Sequence, residues 1–228
     1  VHFRATVRGD SNTSARAVRT GGGSGDDAAA ASDAVAAAGT TKLTWSRKLL
    51  VLLRVTPYML ALWTVYCCEY LINQGMTNLL NFPHYAPLKC GNEQYQVYQI
   101  LYQVGVFISR SSVNLYSIRS VWLLQVPGVL QAANAAFVAC VVVFNFVPSI
   151  YIVFAIIVWE GLLGGTIYVQ VYYAMSRRFA GAEKEFAMGV TGSSYGLSIL
   201  AAGLLGAPLN VWLGSLRAAR GHVVCKGG

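Results

Sequence analysis

Two carboxylates interrupt segments that are otherwise apolar, and they are the first residues in this 228-residue chain to which chemistry can be attached. Glu160 lies inside a long uncharged stretch, with Gly164, Tyr168 and Tyr172 following at four-residue steps, on one face of a helix. Tyr66, Glu69 and Asn73 fall at i, i+3 and i+7, another shared face. A charge inside a lipid-spanning segment is costly, so such residues are usually functional or paired. A buried carboxyl of this kind suits a proton-coupled step. The plainer readings are an interfacial carboxylate near water for Glu69 and a structural hydrogen bond between helices for Glu160.

A third polar stripe lies between them in sequence. Gln96, Gln99 and Gln103 recur at i, i+3 and i+7, and Tyr95, Tyr98 and Tyr102 repeat the spacing one residue earlier. A helix this polar cannot face lipid all round, so it must line a cavity or an interhelical seam. Arg110 at its end is expected to neutralise Glu69, Glu160 or an anionic substrate. The candidate solute pathway is therefore Glu69, Asn73, Gln99, Tyr102, Gln103, Arg110, Glu160 and Tyr168, with a dry structural seam as the competing reading. Enzyme chemistry finds no foothold. His2, His84 and His222 are isolated, and no phosphate-binding glycine loop, H-E-x-x-H or nucleophile elbow is present. The five cysteines (Cys67, Cys68, Cys90, Cys140, Cys225) form no C-x-x-C pair and have no metal-ligand spacing. No cofactor, no metal and no catalytic residue are expected.

The elements that must position these groups are membrane spans. The composition is 55% hydrophobic and 11% charged, against roughly 25% charged in a soluble domain. Of the 26 charged residues, 11 fall in residues 1–48. The net charge of +8 does not point to nucleic acid, because the Lys and Arg residues sit in short connectors between apolar runs, with no basic stripe on a soluble face. Residues 1–41, with a Gly-Ser-Asp run and an Ala-rich stretch, read as a disordered low-complexity loop or tail. Starting at Val1, that tail is expected to be an inter-helix loop of a longer protein.

Five spans are expected, at about 49–73, 95–112, 121–144, 149–174 and 186–213, within a transmembrane domain over 42–216, followed by a short polar tail over 217–228. A bilayer core of ~30 Å needs ~20 helical residues. The 40 uncharged residues between Arg119 and Glu160 hold two spans, turned at Asn145-Phe146-Val147-Pro148. The second span is the weakest, with 16 uncharged residues between Glu93 and Arg110. Five crossings put Lys42, Arg47, Lys48, Arg110, Arg119, Arg177, Arg178 and Lys184 on one side, which should be cytoplasmic. Lys89, Arg217, Arg220 and Lys226 fall on the other, and the last three leave open whether 186–213 crosses fully. Gly161 with Gly165, and Gly192 with Gly196, make G-x-x-x-G pairs of the kind that lets helices approach closely in lipid.

Several strings are more specific. Glu69-Tyr70-Leu71-Ile72-Asn73-Gln74-Gly75 resembles the EYLINQG signature of battenins, the Batten-disease membrane protein family. The run from Tyr98 to Ser112 is similar to the family's YQ-x-LYQ-x-GVF-x-SRSS. Pro148 to Tyr151, Glu160 to Gly165 with Tyr168-Val169, and Glu185 to Met188 follow in family order, across about residues 58–210. The resemblance implies the C-terminal half of a major-facilitator-like bundle in a lysosomal, late-endosomal or vacuolar membrane. It also implies a role in lumenal pH and basic amino-acid homeostasis and in clearing glycerophosphodiesters, with Glu69, Arg110 and Glu160 at signature positions. Gln170 stands where the family pattern has Asn, and Tyr195 where it has Asp. The ending Cys225-Lys226-Gly227-Gly228 lacks the aliphatic pair of a prenylation box, and Asn12-Thr13-Ser14 is the one glycosylation-type match.

The expected protein is thus an all-α integral membrane protein that moves a small polar solute, with protons as candidate coupling ion. Its partners would be the lipid bilayer and a missing N-terminal transmembrane half, with no nucleic acid. The alternative is a non-transporting scaffold or trafficking factor that alters pH indirectly.

Overall fold

The computed structural model describes residues 43–82, 88, 92–111, 117–118 and 120–221. The expected tail over 1–41 and the last seven positions lie outside the described residues. Helix α1 runs over Trp45–Tyr70 and continues without a break through a π turn, Leu71–Met76, and a 3-10 turn, Thr77–Leu79. Helix α2 is Asn92–Ser111. A 3-10 turn, Leu123–Gln125, leads into α3, Val126–Phe144. Helix α4 is Ile150–Arg178 and α5 is Gly181–Ala219. Among the described residues there is no strand.

Four of these stretches, Trp45–Leu79, Leu123–Phe144, Ile150–Arg178 and Gly181–Ala219, are long and apolar enough to cross a membrane. Helix α2 has 20 residues, ~30 Å at 1.5 Å each, so it has the length of a span without the hydropathy. The chain is an all-helical, multi-pass membrane protein. Large side chains such as Phe107, Trp122, Val129, Leu204 and Val211 lie exposed on its outer surface, as lipid contact requires.

Helix boundaries follow local chemistry. Ser149 caps α4, its Oγ accepting from the Tyr151 amide at 3.3 Å. Asn145 ends α3 in the left-handed conformation (φ 48), a position Asn tolerates well. Pro57 sits inside α1, and its carbonyl is taken by the Gln125 side chain at 2.8 Å. Expected spans 49–73 and 186–213 come out longer, because the polar ends Gln74–Leu79 and Gly181–Glu185 stay helical.

Small residues decide the tightest contacts. Helix α2 packs chiefly against α4, where Gly105 and Gly161 face each other. A Cβ on Gly161 would lie 2.9 Å from the Val106 amide and 3.2 Å from Gly105 Cα, so backbone, not side chain, fills the gap. Gly165 sits against the Ser109 hydroxyl. Helix α5 meets α1 along Ala187, Thr191, Ser194, Ser198, Ala202 and Gly206, all buried. At the far end, Gly206 closes on Gly75, where a Cβ would stand 3.3 Å from Gly206 Cα. Gly192 and Gly196 are not the packing pair the G-x-x-x-G reading expected. Nothing lies within 4 Å of a Cβ at Gly196, and Gly192 meets only the Tyr172 hydroxyl at 3.4 Å. The seam of α5 passes beside them, through Thr191 and Ser194.

Arg217 is a second correction. Expected in a polar tail, it lies in the last turn of α5 and is 2% exposed. Its Nη1 donates to the Val142 carbonyl at 3.1 Å, and its Nη2 to the Asn81 carbonyl at 3.4 Å and Asn145 Oδ1 at 3.5 Å. The last carbonyls of a helix have no partner within it, and a cation is favoured there. Arg217 therefore ties the C-terminal ends of α1 and α3 to α5. It is not a loop charge, and removing it from the count weakens the objection to a full fifth crossing.

Candidate functional site

The two carboxylates come together. Glu69 projects from α1 and Glu160 from α4, both 0% exposed, at the junction of the two apolar clusters of the core. One cluster contains Ile72, Tyr98 and Ile157, and the other contains Val65, Tyr66 and Ile167. Asn73, one α-helical turn beyond Glu69, links the pair. Its Nδ2 donates to Glu160 Oε1 at 2.9 Å and to the Glu69 main-chain carbonyl at 3.1 Å. Tyr102 on α2 donates its hydroxyl to Glu69 Oε1. Gln99, one turn earlier on α2, donates to Asn73 Oδ1 at 3.2 Å. Each carboxylate keeps one oxygen, Oε2, buried and without a hydrogen-bond partner.

The geometry has chemical content. An ionised side chain at mid-bilayer depth costs at least ~2.5–3.5 kcal/mol on insertion scales, and a second like charge adds repulsion. A pair of acids with two open oxygens is a place to take up a proton or a small cation. The glycines beside it make room. A Cβ on Gly164 would run into the Glu69 carboxylate, so only Gly lets Glu69 reach this position.

Among the described residues Arg110 forms no ion pair with either acid. Its guanidinium stacks on Tyr168, 4.5 Å from the ring centroid, and Nη2 donates to the Tyr66 hydroxyl at 3.4 Å. The reason is distance along α2: Arg110 lies eight residues past Tyr102, ~12 Å at 1.5 Å per residue. Tyr66 itself donates to the Gly164 carbonyl at 3.2 Å, so one tyrosine joins Arg110 to the backbone of α4 beside Glu69. Around it stands an aromatic group, Tyr66, Tyr70, Tyr168, Tyr172 and Tyr195, with Tyr66 and Tyr195 edge to face at 4.5 Å.

The α2 stripe splits by residue type. Tyr98 and Tyr102 turn inward, while Gln103 is exposed and Gln99 half-buried. With Ile100, Val104 and Phe107, the two glutamines line an open groove of about 420 Å³ on the outer face. Gln94, not among the expected site residues, is fully buried. It holds the Phe82 backbone by two bonds, accepting from its amide at 3.0 Å and donating to its carbonyl at 2.9 Å. A signal was available for it, since Gln94, Tyr98, Tyr102 and Gly105 follow the helical repeat of the inward face.

The profile of the family described as CLN3 protein matches residues 6–216. The chain belongs to the CLN3 protein family. Among its curated relatives, protein BTN1 of Chaetomium globosum is 42% identical over 171 residues, covering 75% of this chain and 37% of that protein. Battenin of Canis lupus familiaris is 44% identical over 156 residues, 68% of this chain and 34% of that protein. Protein BTN1 of Yarrowia lipolytica is 41% identical over 160 residues, 70% and 39%. The chain thus spans about a third of the length of the CLN3-family relatives it matches. No solved structure matches it. In this CLN3-family chain Gln170 is buried and accepts from the Ile118 amide at 2.8 Å, and Tyr195 fills the aromatic group beside Tyr66.

Proposed function

We propose that this chain forms one half of a solute-transport pathway in a lysosomal, late-endosomal or vacuolar membrane, a carrier rather than an enzyme. The other half is a second transmembrane bundle of major-facilitator type, and the solute is small and polar. The observation that carries the reading is the buried pair Glu69–Glu160, with an open oxygen on each, joined by Asn73, Tyr102 and Gln99 to the groove at Gln99 and Gln103. A scaffold has no use for two acids that each keep a bonding site free. In a carrier the pair takes up a proton, which couples solute movement to lumenal pH.

The test is solute flux through the full-length protein in liposomes, with and without a pH gradient, for wild type and Glu160→Gln. Gln keeps the shape and the bond from Asn73 but cannot exchange a proton. The expected result is normal abundance in the membrane with flux reduced at least ~10-fold and no longer responsive to the gradient. Wild-type flux and pH response in the variant would sink the proton-handling role.

A further inference from the structure

A second polar site lies at the other end of α4, away from the acid pair. Tyr58, Ser117, Ile118, Tyr173, Ala174, Arg177 and Arg178 surround a pocket of about 350 Å³. Both guanidinium groups are held on aromatic faces. Arg178 lies over Tyr58, 5.6 Å from the ring centroid, and Arg177 over Tyr173 at 5.7 Å, with Nη1 donating to the Tyr173 hydroxyl at 2.9 Å. Neither has a carboxylate within ion-pair distance among the described residues. The nearest acid in sequence, Glu183, turns instead to Arg47 at 3.6 Å.

We propose that this pocket binds the phosphate of an anionic phospholipid headgroup. Two adjacent, stacked guanidinium forks present several N–H donors toward one cavity, the arrangement that recognises phosphate by paired hydrogen bonds. The stacking, and for Arg177 the bond to Tyr173, restrains these side chains, so part of the rotamer freedom lost on binding is already given up. Placement selects the lipid over a dissolved phosphate. The arginines close a 29-residue apolar helix, at the depth where hydrocarbon gives way to headgroups. Beside them Ile118 and Ala174 offer apolar surface to the glycerol and upper acyl carbons. Basic pockets between membrane helices on the cytoplasmic side are the usual place for such lipids.

The experiment uses the full-length protein in nanodiscs of phosphatidylcholine alone or with 20% phosphatidylserine, reading lipid retention by native mass spectrometry. Three proteins are compared: wild type, Arg177→Gln/Arg178→Gln, and Arg220→Gln, which removes a charge from the opposite end of the bundle. Wild type and Arg220→Gln should retain phosphatidylserine, and the double variant at least ~5-fold less. Equal loss in both variants would reduce the effect to net charge, and no loss in the double variant would overturn the site. In wild type, a phosphatidylserine carrying a photoreactive headgroup should label peptides containing Ile118 or Ala174; labelling confined to other helices would also overturn it. So would competition by glycerophosphate in solution that matches the lipid at equal concentration, because the site would then be one for free phosphate.

Discussion

Gly164 on α4 lies directly beneath the carboxylate of Glu69 on α1, so close that the smallest side-chain carbon would overlap Glu69 Oε2. Gly164→Ala should therefore act on Glu69 without touching it chemically. The obstruction is the end of a side chain, so the helices need not part, and Ala adds up to ~1 kcal/mol of helix propensity. The expected outcome is a thermal midpoint near wild type with flux reduced ~10-fold, as Glu69 swings away from Tyr102. Paired measurement of melting and flux checks it; unchanged flux would mean the Glu69 position is immaterial.

The two kinds of glycine should separate cleanly. Gly161→Ala must push α2 from α4, because the obstructing atoms are backbone, and overpacking of this kind costs about 1–3 kcal/mol. Gly196→Ala meets open space and should be neutral or slightly stabilising. Thermal unfolding in detergent distinguishes them, and equal effects would contradict the packing described.

Arg217→Leu removes a buried clamp. The carbonyls of Val142 and Asn81 lose their donor, at about 1–3 kcal/mol for unsatisfied buried groups. The variant should melt lower and accumulate less, while Arg220→Gln, at an exposed position, should not.

The connector between α4 and α5 is two residues, Phe179 and Ala180, bordered by Arg177, Arg178 and Lys184. A cysteine in place of Ala180, which is exposed, should react with an impermeant maleimide added from the cytosol. Labelling only from the lumen would invert the topology.

The span pattern was legible because hydropathy and charge placement act over twenty residues at a time, and local errors average out. The pairing of Glu69 with Glu160 was half legible. Each stood out as a charge in an apolar run, but no spacing within either helix says that Asn73 reaches across to Glu160. The charge of Arg110 suggests a direct acid partner, while its depth along α2 puts the tyrosines Tyr66 and Tyr168 in contact with it instead. Arg217 looked like the first residue of a tail because it follows the apolar stretch. Its place four residues after buried Leu213 on the α5 seam was the sign that it turns inward.

The π turn in α1 has a consequence for anyone aligning or editing this chain. A π turn accommodates one residue more than an α turn, so it rotates everything after it by about one residue's angle, ~100°, relative to an uninterrupted helix. Glu69 and the residues before it are set by one phase, and Gly75, Asn78 and Leu79 by another. The offset is what lets Gly75 meet Gly206 and lets Asn210 bond both the Gly75 carbonyl and Asn78. Closing Leu71–Met76 as a regular α turn with every residue kept would key the second half to the wrong face of α5, whereas deleting one residue there would restore a regular helix and leave that face unchanged.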